Sequence, residues 1–297
     1  MTTLLLIRPK HFGFNPETAE SNSFQTSIAD KDVHSRAVDE FNRMVHVLRL
    51  HAIPHFVIND TERPIKPDAI FPNNWFSTHR SGRIVIYPME AENRRTERRE
   101  DIINRLKSEF EFTQVIDYTS RELDNVFLEG TGSLVFDRIH RYALLSRSSR
   151  SNLSLAEEVC HELDYKLISF TAIDHEGIPV YHTNVLLCIG EKFIVWCPQM
   201  ISDKSDRLSI EAYIEKTKRE SIEISPAQVK SFAGNMLEVK NENGNNCLLM
   251  SSTARRSLST DQIFALRKYC ALLPIPIPTI EKIGGGSVRC MVAEIVN

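Results

Sequence analysis

A chain of 297 residues, 42% hydrophobic and 25% charged, has ample material for a core and the composition of an ordinary globular protein. A formal net charge of −3 leaves no basic excess, which argues against a nucleic-acid or anionic-membrane partner. No apolar stretch approaches a membrane span, and the opening "MTTLLLIRPKHFG" holds too short an apolar run for a signal sequence. In chain order, "TLLLIRP" reads as a strand and "DAIFPNNWFSTHRSGRIVIYPM" as two strands joined by a turn. A helix-spaced stretch, "RRTERREDIINRLKSEF", follows. The same alternation then returns: "NVFLEGTGSLVFDRIHRYALLSRS" before the helix "SNLSLAEEVCHELDY", "IPVYHTNVLLCIGEKFIVWCPQ" before "SDRLSIEAYIEKTKRES", and "KSFAGNMLEVKNENGNNCLLMSS" before "STDQIFALRKYCALL". "LLPIPIPTIEK" alternates prolines with apolar residues, as an extended connector does, and "IEKIGGGSVRCMVAEIV" ends on a single strand. Ser154 with Glu157 and Ser259 with Gln262 have capping-box spacing.

Aligned on their turns, these strings place Trp75, Ser133, Val185, Met236 and Val288 in equivalent positions, 58, 52, 51 and 52 residues apart. A period near fifty, built of strand, turn, strand and helix, signals a radial or solenoid array. The expectation is one α/β domain spanning residues 1–297, a five-bladed β/α propeller with pseudo-fivefold repeats, in which the N-terminal strand closes the last repeat. Such a ring gathers the five turns, "PNN", "EGTG", "HTN", "GN" and "GGGSVRC", at one end of a central channel.

Candidate chemistry therefore belongs in those turns. Glu129 in "FLEGTG", His182 in "VYHTNV" and Cys290 in "GGGSVRC" each read alone as a turn acid, an edge histidine and a buried thiol. Their shared phase changes that reading: a thiolate nucleophile needs a histidine to manage protons and an acid to orient it. Five of the six cysteines, including those of "NVLLCIG" and "FIVWCP", read as buried and reduced, which fits a cytoplasmic location. The glycine run lacks the Lys-Ser/Thr of a phosphate loop, "HELD" lacks the second histidine of a zinc helix, and no other metal-ligand spacing occurs. No metal or organic cofactor is expected.

In the order of Asp68 in "DAIFPNN", "LEGTGS", the histidine and the late glycine-rich cysteine, the chain resembles the guanidine-modifying superfamily of arginine deiminases, dimethylarginine hydrolases and amidinotransferases. Their shared fold is the five-bladed β/α propeller. Together with "IRPKHFGFNPETAESNSFQ", "DAIFPNNW" and "GGGSVRCM", these motifs look most like the citrulline-hydrolase branch, over the whole chain. The resemblance implies Cys290 as nucleophile, His182 as general acid/base, Glu129 between histidine and substrate, Asp68 as a substrate contact and Arg147 as the grip on a substrate carboxylate. Arg94 and Arg95 could also reach a carboxylate, but in their run of alternating charge they read first as a solvated helix start.

The departures from that pattern concern charge. Asn74 stands where arginine-processing relatives carry an acid, Asn184 stands where deiminases carry one, and Gly132 replaces the acid of "EGGD". A buried guanidinium needs carboxylates, whereas an amide pairs with a neutral ureido group. A citrulline-directed hydrolase is thus expected, with Asn74 and Asn184 as substrate contacts. An arginine-directed hydrolase and a non-catalytic binding propeller, as in a ribosome-binding initiation factor, stay open. The implied partner is a small amino acid, and a homo-oligomer is compatible with the sequence.

Overall fold

The computed structural model describes residues 2–27, 32–80 and 82–296. Among them, fifteen strands form five separate three-stranded sheets. In chain order these are β1 (Thr3–Arg8), β2 (His55–Asn59), β3 (Phe76–His79), β4 (Arg83–Ile86), β5 (Gln114–Asp117), β6 (Leu134–Asp137), β7 (Tyr142–Ser146) and β8 (Lys166–Phe170). Then follow β9 (Leu187–Ile189), β10 (Phe193–Trp196), β11 (Glu220–Glu223), β12 (Leu237–Lys240), β13 (Asn246–Ser251), β14 (Ala271–Ile275) and β15 (Ala293–Ile295).

Every sheet repeats one motif. Two strands pair antiparallel, and a crossover returns a third strand parallel to the middle one, as in β3–β4–β5 and β6–β7–β8. The crossovers contain helices α1 (Val33–Leu50), α2 (Glu100–Glu109), α3 (Leu153–Glu162), α4 (Lys204–Thr217) and α5 (Thr260–Arg267). One sheet draws on both ends of the sequence: β15 is antiparallel to β1, with Thr3 opposite Ile295, and β1 is parallel to β2. Middle strands such as "TLLLIR" and "FIVW" are covered on both faces, so they read as unbroken apolar runs. Outer strands such as "QVID" and "ESIE" leave an edge free and carry charge or amide there.

The helix boundaries differ from the sequence reading in three places. Asn152, not Ser154, caps α3 by accepting the Leu155 N–H, whereas the Ser259–Gln262 capping box forms. The stretch "STDQIFALRKYCALL" is helical only through Arg267. From Ala271 it is the edge strand β14, aligned with β13 from Cys247 to Ser251, and an edge position tolerates Pro274. Beyond that strand the proline-rich connector becomes helix α6 (Pro278–Gly284), with Pro278 in its first turn.

The first strands of successive sheets lie against one another, β15 beside β3, β6 beside β9 and β9 beside β12. The short turns that precede them are stitched together by side chains. Thr131 Oγ1 donates to Asn73 O (3.2 Å), Thr183 Oγ1 to Ser133 O (2.5 Å), Asn235 Nδ2 to Asn184 O (2.8 Å), and the Arg289 N–H to Asn235 Oδ1 (3.0 Å). These bonds satisfy backbone groups that no ladder reaches. Thr183 Oγ1 also accepts the Ser146 N–H at 2.7 Å. Thr183→Val, which keeps the shape and removes both bonds, should lower the unfolding free energy by about 2 kcal/mol, since it strands a buried N–H. Urea unfolding measures this; an unchanged midpoint and slope would show that the stitch carries no stability.

Candidate active site

Cys290 is presented by the turn after α6. Gly285 ends that helix in the left-handed conformation (φ +64°), and the Tyr181 hydroxyl holds its carbonyl at 2.6 Å. A Cβ on Gly286 would fall 2.9 Å from the Phe71 ring and 3.3 Å from Cys290 Cβ, so only glycine lets this turn close over Phe71. The thiol is buried, and its neighbours are amides. Asn235 Nδ2 lies 3.3 Å from Sγ, and the Asn184 amide reaches it at 3.6 Å through Nδ2 and 3.9 Å through Oδ1. Burial pushes the Cys290 thiol above its ordinary pKa, against the opposing hydrogen bonds, so the resting residue is a thiol at neutral pH.

His182 lies just before the third turn in extended backbone, and its Nε2 is 2.8 Å from Glu129 Oε2. Glu129 Oε1 accepts the Glu90 N–H at 3.1 Å, and Arg150 Nη1 stands 3.6 Å from Oε2. Burial alone would raise the Glu129 pKa. The Arg150 charge and the His182 hydrogen bond outweigh it and hold the carboxyl at about 2. His182 moves down, because burial of the imidazolium outweighs the Glu129 hydrogen bond. The pair therefore rests as carboxylate and neutral imidazole, with the Nε2 proton donated to Glu129 and Nδ1 left as a base.

His182 and Cys290 line one cavity together with Asp68, Asn74, Arg94 and Arg150, and a strap through Thr18, Asn22 and Gln25 borders it. Among the described residues no hydrogen bond joins Cys290 to His182, and the two face the same cavity. Asn74 is buried against Arg94, whose Nη1 donates to Asn74 Oδ1 at 3.1 Å. Among the described residues Asn74 Nδ2 has no hydrogen-bond partner, and it borders the same point as the His182 ring. A Cβ on Gly132 would fall 2.4 Å from Nδ2 and 2.8 Å from His182 Cε1 and Nδ1. An acid at position 132 therefore has no room beside Asn74.

Asp68 is also buried. Its Oδ2 accepts from Asn15 (2.7 Å) and Thr18 (3.2 Å) and lies 3.9 Å from Arg94 Nε, while among the described residues Oδ1 has no hydrogen-bond partner. Burial raises its pKa over the pull of Arg94.

Two sequence readings need correction. Arg147 does not face the cavity: its Nη2 is paired with Asp206 at 2.6 Å and its Nε donates to Thr171, at a partly exposed rim. Arg94 is not a solvated helix residue. It is buried and bound through two donors to Glu97, both at 2.8 Å, three residues on and just past the short helix Glu92–Arg95. Arg150, three residues beyond Arg147, reaches the cavity instead, held by Thr18 O and Ser21 and stacked over Tyr181. Nothing in the spacing separates Arg147 from Arg150. Asn235 was detectable only as the polar residue of the fourth turn.

The family model for eukaryotic N,N-dimethylarginine dimethylhydrolase matches residues 8–297. No curated protein sequence matches the chain. Among solved structures, the substrate-bound N-terminal domain of ArgZ, an arginine dihydrolase of the ornithine–ammonia cycle in cyanobacteria, aligns with a TM-score of 0.78. Identity is 18%, over 100% of this chain and 99% of that one. Unliganded AgrE aligns at 0.76 and 19% identity, covering 100% of this chain but only 39% of the longer one. A mutant dimethylarginine dimethylaminohydrolase bound as an adduct with S-methyl-L-thiocitrulline aligns at 0.67 and 15% identity, over 99% of this chain and 100% of that one. At such identities the likeness is one of fold.

With its pKa at about 2 in the folded protein and about 4.3 in a free chain, Glu129 contributes stability above the higher value. That contribution is lost as the pH falls through the lower one. Glu129→Gln should flatten the acid limb of Tm against pH across this window. Parallel acid limbs in the two proteins would contradict the assigned charge state.

Proposed function

Since the chain belongs to the N,N-dimethylarginine dimethylhydrolase family, within the guanidine-modifying superfamily, and is a hydrolase of non-peptide C–N bonds, we propose that it hydrolyses the ureido group of citrulline. The products are ornithine, ammonia and carbon dioxide. One observation carries the choice of substrate: Arg94 occupies the oxygen of the Asn74 amide, so the half of that amide left for a ligand is a donor. A ureido oxygen accepts from such a donor; a guanidinium, which has only donors, does not. We also take the five sheets as the blades of a single β/α propeller, whose axis would be the cavity.

In this reading Cys290 Sγ attacks the ureido carbon. The thiol proton, relayed by His182, ends on the departing δ-amine, so ornithine leaves and the carbamoyl group stays on sulfur. Glu129 stabilises the imidazolium that forms between these transfers. His182 Nδ1 then takes a proton from water, whose oxygen displaces the sulfur. The carbamic acid released decomposes to ammonia and carbon dioxide. Asn74 Nδ2 is the donor for the oxyanion in both steps. Every step uses side chains alone.

An arginine-directed reaction on the same residues has one observation in its favour. The unpartnered Oδ1 of Asp68 suits a cationic group on the ligand, whether a guanidinium or the α-ammonium of any amino acid. Amino-acid analysis of the protein incubated separately with citrulline, arginine and methylarginine decides between them. Ornithine formed from citrulline, and lost in Cys290→Ala, is the expected result. Citrulline formed from arginine or methylarginine would replace the ureido reading with the guanidino one. Asn74→Ala should lower kcat for citrulline by about 10²–10³, the effect of removing one oxyanion donor; an unchanged kcat would remove Asn74 from that role.

A further inference from the structure

The fourth turn contributes a residue to which the proposed reaction gives no role. Asn235 is fully buried, and both ends of its amide are fixed. Its Oδ1 accepts the Arg289 N–H at 3.0 Å, and a backbone N–H can only donate, so that end is the oxygen. Nδ2 must then supply two protons. One goes to Asn184 O at 2.8 Å, and the other points at Cys290 Sγ, 3.3 Å away.

Asn184 behaves differently. Its Oδ1 lies 3.9 Å and its Nδ2 3.6 Å from the same sulfur, so it is placed to accept from S–H or to donate to S⁻. Asn235 has no such choice, because turning its amide would set Oδ1 against the Asn184 carbonyl. It is a donor aimed permanently at the sulfur.

We propose that Asn235 is a catalytic residue whose fixed N–H stabilises the Cys290 thiolate, while Asn184 follows the proton by exchanging acceptor for donor. This rests on Cys290 being the nucleophile. The physical case is preorganisation. A dipole already oriented toward a developing charge in a water-poor site needs no reorganisation when the charge forms. The charged and titratable groups facing Cys290 are Tyr181, His182, Asp68, Arg94 and Arg150 around the cavity, with Arg289 beside it in sequence. The cavity arginines are taken by Glu97, Glu90 and Glu129, and Arg289 by Glu294. Burial raises the Cys290 pKa, and what opposes it is the Ser287 backbone, the Asn235 and Asn184 amides and the charge of Arg289, so among side chains the amides are the sulfur's hydrogen-bond partners.

The test is the pH dependence of Cys290 alkylation by iodoacetamide in the substrate-free protein, compared with Asn235→Asp and Asn235→Ala. The Asp variant keeps the acceptor for the Arg289 N–H and removes the donor. The wild-type inflection should lie above about 8.5, the ordinary thiol value. In Asn235→Asp it should move up by at least one pH unit, about tenfold less thiolate at fixed pH, and in Asn235→Ala it should move up by less. Both variants should also lower kcat with little change in KM, whereas a merely structural loss would not move the inflection. An inflection unchanged in either folded variant would overturn the proposal. Should neither variant fold, the wild-type protein labelled with ¹⁵N-asparagine answers: two side-chain amides should shift with the alkylation inflection, and amides that ignore it would overturn the proposal. Failure of the underlying reading looks different: Cys290→Ala would retain turnover whatever Asn235 does.

Discussion

The site depends on bonds that run from turn to turn rather than along any sheet. Each sheet is complete within its own three strands and needs nothing from its neighbours to satisfy its ladder. What fixes one sheet relative to the next, near the cavity, is a side chain from one turn reaching a backbone group of another: Thr131 to Asn73, Thr183 to Ser133, Asn235 to Asn184, and the Arg289 amide to Asn235. The fifth turn meets the first through apolar contact, where Gly284 and Gly286 admit the Phe71 ring. Because such bonds are short and directional, they set the positions of Cys290, His182 and Asn74 more tightly than packing alone would.

The second constraint is charge. Burying Asp68, Glu97 and Glu129 beside one cavity is tolerable only because Arg94 and Arg150 are buried with them. Most of that charge is spent internally. Glu97 takes two donors of Arg94, Glu129 is shared between Arg150 and His182, and Glu90 takes another donor of Arg150. A guanidinium ligand would find Glu97 and Glu129 already engaged, with only Asp68 Oδ1 left for it. A neutral ureido group needs only single donors and acceptors, and Asn74 Nδ2 and Asp68 Oδ1 are such groups.

The repeat was legible because its physical cause acts locally. A middle strand covered on both faces must be an apolar run, and a crossover helix of similar length must follow, so the turns recur about every fifty residues. That phase alone singles out Glu129, His182 and Cys290, and the structure gathers them. Side-chain direction has no such signal. Arg147 and Arg150 sit in the same loop, with like chemistry and three residues apart; one pairs with Asp206 outside the cavity and the other enters it. Arg94 looks solvated in a run of alternating charge, and only the packing of Glu97 against it shows that the pair is interior. The capping box written at Ser154 failed because Asn152 offers its oxygen two residues earlier.

The three asparagines show the same limit at the scale of atoms. An amide is donor and acceptor at once, so its residue type says that a polar group is needed but not which kind. In each case a neighbour decides. The Arg94 guanidinium claims the oxygen of Asn74 and leaves its nitrogen as the free end, beside the His182 ring. The Arg289 N–H claims the oxygen of Asn235 and turns its nitrogen toward sulfur. Among the described residues Asn184 has no claimant on its side-chain oxygen beyond the thiol itself, so of the three it alone keeps both options. A carboxylate at any of these positions would present oxygen in every orientation and, at Asn184 or Asn235, place a charge against the sulfur. The amides are therefore not weaker versions of carboxylates; they supply donors that an acid cannot.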